Sequence, residues 1–106
     1  MVEAAKHMQT LQAEGLVRHI GVTDMPTTDL AAILDAGVPI TTAQAQYSLL
    51  DHRPQTKLAA LCRDRNVKLV AYGVLAGGFI SDVWLHQPEP TVRPASPVHA
   101  GGNCSV

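Results

Sequence analysis

The sequence predicts an α/β fold: three parallel strands in series, each preceded by a helix that helps cover the sheet. Three observations carry this. Apolar residues at helical spacing alternate along the chain with short apolar or β-branched runs. Gly15, Pro26, Gly37 and Pro54 fall at the changeovers, where helix stops and starts belong. Strands joined through helices make right-handed crossovers, which forces the sheet to be parallel. Three such strands are few for a domain, and a closed barrel of this type takes about eight strands and roughly 250 residues. With 106 residues, the chain reads as part of a larger architecture.

Residues 2–14 read as the first helix, with Ala4, Met8 and Leu11 on one stripe and Glu3, Lys6, Gln9 and Glu14 elsewhere. Gly15 stops it. The first strand is expected over "LVRHIGV" (16–22), followed by a turn at "TDMP", because Pro26 disfavours helix at Met25. Thr27 or Thr28 is expected to cap a second helix that runs to about Asp35 and buries Leu30, Ile33 and Leu34. Gly37 ends it. "VPITTAQAQ" (38–46) is the second strand, and "YSLLDHR" is a connecting loop. Pro54 suits the first turn of a third helix, with Leu58, Leu61 and Cys62 inward. "VKLVAY" (67–72) is the third strand. The run "LVAYGVLAGGFI" then leaves strand character for a glycine-spaced apolar loop. Such a turn is tight for packing reasons, or something lies against its backbone.

From about His86 the composition changes. Pro88, Pro90, Pro94 and Pro97 precede "AGGNCSV". The chain therefore divides into a structured 1–84 and a Pro/Gly-rich, disordered tail at 85–106.

Lys and Arg number 8 against 9 Asp and Glu, for a net charge of −1, so no footprint for nucleic acid or an anionic membrane is present. No apolar run is long enough to span a bilayer, and the N-terminus shows no apolar signal region. Cys62 and Cys104 form no C-x-x-C, and the five histidines show no ligand spacing. A reducing, cytoplasmic setting is expected.

Parallel α/β folds place ligands at the C-terminal ends of their strands. Those ends carry Thr23 and Asp24, then Gln44, Gln46 and Tyr47, then Tyr72 and Gly73. Hydroxyl, carboxylate, amide and phenol groups on one rim suit a polar small molecule. Strand ends are also simply where polar residues belong.

At these positions the sequence resembles a known family. "EGLVRHIGVTDM", "AQAQYSLLDHRP" and "LVAYGVLAGGF" are similar, in order and spacing, to three segments of the aldo-keto reductases. The family forms are close to G-K-V-R-x-I-G-V-S-N-F, N-Q-x-x-Y-S-L-L and A-Y-S-P-L-A-G-G. The resemblance covers roughly residues 2–84 and fades after "FISDVWL". It implies a partial (β/α)8 TIM barrel, about strands five to seven, and NADP as cofactor. The implied family activity is reversible reduction of an aldehyde or ketone to an alcohol by hydride transfer, with a small-molecule carbonyl substrate.

By the same resemblance, Tyr72 matches the aromatic that stacks on the nicotinamide. Gln44 matches the amide that grips its carboxamide, a group able to donate and accept at once. Thr23 and Asp24 match a Ser-Asn pair at the same carboxamide. An ionised Asp24 accepts but does not donate, and favours a cationic ring. Gly73, Leu75 and Gly77 match the loop near the pyrophosphate, where glycines let backbone N–H groups approach phosphate. Gly73 stands where the family often carries Ser, so that hydroxyl is absent.

The family's catalytic Asp, Tyr, Lys and His come from its first four strands. The chain begins at the helix before strand five, so no catalytic residue is expected in it, and no activity of the chain alone. Lys6, Lys57, Lys68 and His19 do not take their place. A truncated or mis-started reading frame accounts for both ends. The rival expectation is a non-catalytic α/β module, or truncated pseudo-enzyme, that pairs with another chain. Two open sheet edges invite such self-association.

Overall fold

The computed structural model describes residues 1–88. Most of the expected tail at 85–106 therefore lies outside the described residues.

Three helix–strand units follow one another: α1 (Val2–Ala13) and β1 (Ile20–Thr23), α2 (Thr27–Asp35) and β2 (Ile40–Gln46), α3 (Lys57–Asp64) and β3 (Lys68–Tyr72). Each helix stops in the same way. Gly15 (φ 76°), Gly37 (φ 82°) and Asn66 (φ 55°) take the left-handed conformation. The N–H of the next residue then reaches back six positions inclusive: Leu16 to Leu11 O, Val38 to Ile33 O, and Val67 to Cys62 O at 2.8 Å. This closure satisfies helix-end carbonyls and turns an apolar residue back towards the core. Val38 and Val67 are fully buried by it. Glycine has no Cβ to resist that backbone, and asparagine is among the side chains that tolerate it.

The sheet runs β1-β2-β3, with both pairings parallel. Ile20 pairs with Ile40, but Gly21 pairs with Thr42, so Thr41 is an extra residue in β2. This bulge shifts the phase of β2 and lets Ile40 and Ala43, three residues apart, both be buried. The core is Ile20, Leu30, Ile33, Val38, Ile40, Ala43, Ala45, Leu58, Cys62 and Val67. It lies between the sheet and the row of helices, with α1 against α2 and α2 against α3. Burial in that core raises the Cys62 thiol pKa, which keeps the thiol protonated.

Several expectations need correction. The first strand does not span 16–22: pairing starts at Ile20, and His19 lies outside it, exposed. Its partner sets that limit. Ile40 follows Pro39, which has no N–H to extend the ladder. The buried side of α1 is not Ala4, Met8 and Leu11, which are exposed. The inward side is Val2, Ala5, Gln9 and Gln12, each half-buried, and no residue of α1 is fully buried. The Gln9 amide donates to Gly37 O at 3.1 Å and the Gln12 amide to Arg18 O at 2.9 Å, so two glutamines tie α1 to the α2–β2 loop and to the α1–β1 loop. Neither Thr27 nor Thr28 caps α2. Pro26 holds the N-cap position with φ −55° and ψ 141°, and no side-chain cap bond is made. Pro54 sits in a short 3-10 turn, Arg53–Gln55, ahead of α3 rather than inside it.

Among the described residues, helices cover one face of the sheet. On the other, Gly21, Thr23, Gln44, Gln46, Val70 and Tyr72 are exposed.

Candidate functional site

Strand parity and register decide which rim residues meet. Thr23 is the cross-strand partner of Gln44, and Gln44 that of Val70. Tyr72 lies two residues beyond Val70, beside Gln46, on the same face. The Thr23 hydroxyl and the Gln44 amide therefore stand on the uncovered face near the C-terminal strand ends, and Tyr72 leaves its strand on that face with its phenol reaching the rim.

They fall in two adjoining clefts. The first, of about 360 Å³, lies on the open face and is lined by Gly21, Val22, Thr23, Thr42, Gln44 and Val70. The second, of about 440 Å³, lies at the rim where α2 and α3 begin. Asp24, Gln46, Arg53 and Tyr72 line it, together with Met25 to Thr27, Pro54 and Leu58. The structure thus brings Thr23 to Gln44, and Asp24 to Tyr72. Gly73, Leu75 and Gly77 line neither cleft.

Asp24 follows β1 directly. Its N–H donates to Gln44 O at 2.9 Å, and its φ is +47°. Aspartate is one of the few non-glycine residues that adopt this backbone readily. Tyr72 Oη donates to Asp24 Oδ2 at 2.7 Å. That bond is the main reason the Tyr72 phenol pKa is raised; burial and the Asp24 and Asp51 charges add to it, and Arg53 opposes.

The loop from β2 to α3 supplies the rim's cation. Ser48 is buried, and its Oγ accepts from the N–H groups of Leu50 (3.1 Å) and Asp51 (3.0 Å). Asp51 is thereby aimed at Arg53, which donates Nε to Oδ1 at 2.9 Å and NH2 to Oδ2 at 2.6 Å. This two-pronged bond holds the Asp51 carboxyl well below the usual carboxylate range, at about 2. It also raises the Arg53 pKa. Asp51 and Arg53 lie in the segment expected only as a connecting loop. Their D-x-R spacing was the available signal.

After β3 the chain makes a left-handed step at Gly73 (φ 63°) and a 3-10 turn at Ala76–Gly78, with Gly77 at φ 68°. Packing does not demand glycine at 77, since nothing lies within 4 Å of where its Cβ would be. The backbone does. The N–H groups of Ala76, Gly78, Phe79 and Ile80 already donate to carbonyls inside the loop. Phe79 stacks on Trp84, with ring centroids 5.2 Å apart.

Gly21, an ordinary position within the expected first strand, also shapes the site. A Cβ there would collide with Thr42 Oγ1. Its absence keeps the floor of the first cleft low beside Thr23 and Gln44.

Comparison with known proteins gives a consistent set of matches. Residues 1–96 match the model of the Aldo/keto reductase family, past the point at residue 84 where the resemblance was expected to fade. The chain is 39% identical over 74 residues to flagellar radial spoke protein 5 of Chlamydomonas reinhardtii, covering 70% of this chain and 14% of that protein. It is 31% identical over 83 residues to a chloroplastic pyridoxal reductase of Arabidopsis thaliana, covering 74% and 23%. It is 28% identical over 81 residues to an NADH-specific methylglyoxal reductase of Escherichia coli, covering 76% and 24%. The chain thus spans between 14% and 24% of the length of these relatives.

Proposed function

The chain belongs to the aldo/keto reductase family, and on that premise we propose that it carries part of the nicotinamide site of an NADP-dependent carbonyl reductase. One observation carries this reading: Thr23 and Gln44 are paired across strands in one cleft, with Tyr72 on the same face. These residues fit the group. A primary carboxamide presents two donors and an acceptor, and the Thr23 hydroxyl and Gln44 amide offer both complements. Tyr72 is 36% exposed, so its ring is free to take a flat partner.

A bound nicotinamide would supply hydride for the reversible reduction of an aldehyde or ketone to an alcohol. This chain's residues would bind and orient it. Gln44 and Thr23 would hold the carboxamide, and Tyr72 would support the ring. Gly73, Leu75 and Gly77 would lie towards the pyrophosphate, with the glycines keeping side chains clear of it. No catalytic residue is assigned to the chain, and its setting is cytoplasmic.

Quenching or blue shift of NADPH fluorescence tests the reading, with NADH in parallel because one relative is named NADH-specific. Saturable binding that weakens in Gln44→Leu supports it; no binding of either cofactor rejects it. The chain alone is expected to turn over no aldehyde in a broad NADPH-coupled panel.

A second reading has its own support. Val70, Tyr72, Val74, Leu75 and Phe79 are large apolar residues left exposed on and after β3. A face of this kind suits a module that pairs with another chain. Size-exclusion chromatography separates the two readings: a discrete dimer that ignores NADPH favours the second.

A further inference from the structure

The Tyr72–Asp24 bond spans the whole sheet. β1 and β3 flank β2, which puts them roughly 10 Å apart at the usual strand spacing. A tyrosine standing upright from β3 does not reach that far. To place its oxygen 2.7 Å from Asp24 Oδ2, the Tyr72 ring has to lie along the rim, over the end of β2. Asp24 is held ready for it. Its backbone is pinned to Gln44 O and turned left-handed.

We propose that Asp24 is a positioning residue: its carboxylate latches the Tyr72 phenol across the rim and so sets the plane of the ring on which a nicotinamide would stack. The stacking half rests on the function proposed above; the latch does not. An amide at position 24 serves a carboxamide partner directly. A carboxylate, with acceptors only, is the better mate for a phenol O–H. With Oδ2 taken by Tyr72, Asp24 acts on the cofactor mainly through the ring.

Three charged groups face the phenol. Asp24 comes from the turn after β1, and Asp51 and Arg53 come from the loop before α3. Asp51 and Arg53 pair with each other, so Asp24 is the charge that acts on the phenol directly.

Ultraviolet titration of tyrosinate in the full chain tests the latch. There are two tyrosines, Tyr47 and Tyr72, and Tyr72→Phe identifies which transition is which. The expected result is that the Tyr72 phenol ionises later than an ordinary tyrosine and shifts down in Asp24→Asn. Asparagine suits the same left-handed backbone, so the fold is kept. No shift in Asp24→Asn overturns the latch. For the ring, NADPH affinity is compared in Tyr72→Phe, Asp24→Gly and the double variant, glycine keeping the left-handed backbone. Each single change is expected to weaken binding roughly three- to tenfold, the worth of one hydrogen bond, and the double change no further. Tyr72→Phe binding like wild type, or losses that multiply in the double variant, overturns the positioning role. A phenol shift with no NADPH binding in the wild type supports the latch and rejects the cofactor reading.

Discussion

Gly21 and Thr42 share space that one added carbon would fill. Gly21→Ala therefore forces Thr42 off its rotamer, and overpacking of this kind costs about 1–3 kcal/mol. Urea denaturation of Gly21→Ala, Thr42→Ala and the double variant measures it, and the double variant is expected to recover most of the loss. At Asp51 the prediction concerns pH. Its folded-state pKa, about 2, lies below the ordinary 3.8. The folded state thus binds fewer protons than the unfolded chain between these values. The stabilisation is complete above about pH 4 and is lost as pH falls through 2. The urea midpoint should drop across that window, and Asp51→Asn should flatten the drop. Single residues were unevenly legible. Thr23, Gln44 and Tyr72 could be placed on the rim because strand ends are found from pattern, while their selection from among the rim residues came from the family resemblance. Arg53 could not, because its approach to Tyr72 depends on a loop folded around the Ser48 hydroxyl.

At the scale of elements, α2 separates packing from capping. Leu30 and Ile33 are each 1% exposed, and Leu30→Ala should cost about 2–5 kcal/mol. Thr27 makes no cap bond. Thr27→Ala should therefore stay within about 0.5 kcal/mol, where loss of a true threonine cap costs about 1. Chemical denaturation of both variants checks the contrast. The order and type of all six elements could be read from the sequence, because Gly15, Gly37 and the apolar stripes of α2 and α3 mark them. The inward side of α1 could not. Pattern reading sorts residues by polarity, whereas α1 turns Gln9 and Gln12 inward to satisfy carbonyls at Gly37 and Arg18. The start of strand one is hidden for a similar reason: its β-branched run is visible, but Pro39, just before the partner strand, decides where pairing begins.

At the scale of the whole, the described residues form a parallel sheet with helices on one face and exposed polar and apolar side chains on the other. The core lies entirely on the helix side, so the open face is free to present chemistry. That division explains why Thr23, Gln44 and Tyr72 are accessible together while Ala43 and Ala45, between them in sequence or register, are buried. It also exposes the apolar residues after β3. A net charge of −1 gives little repulsion to oppose contact between these residues, so the chain is expected to self-associate to a similar extent at low and moderate ionic strength, read by light scattering. The central claim is that this open face is a nicotinamide half-site. Amide and side-chain NMR shifts of the labelled full chain on addition of NADP test it most directly. The account predicts saturable changes centred on Thr23, Gln44 and Tyr72, spreading to Gly73 and Gly77, with the helix face silent. Saturable changes centred on α1 or α2, or none at all, would contradict it.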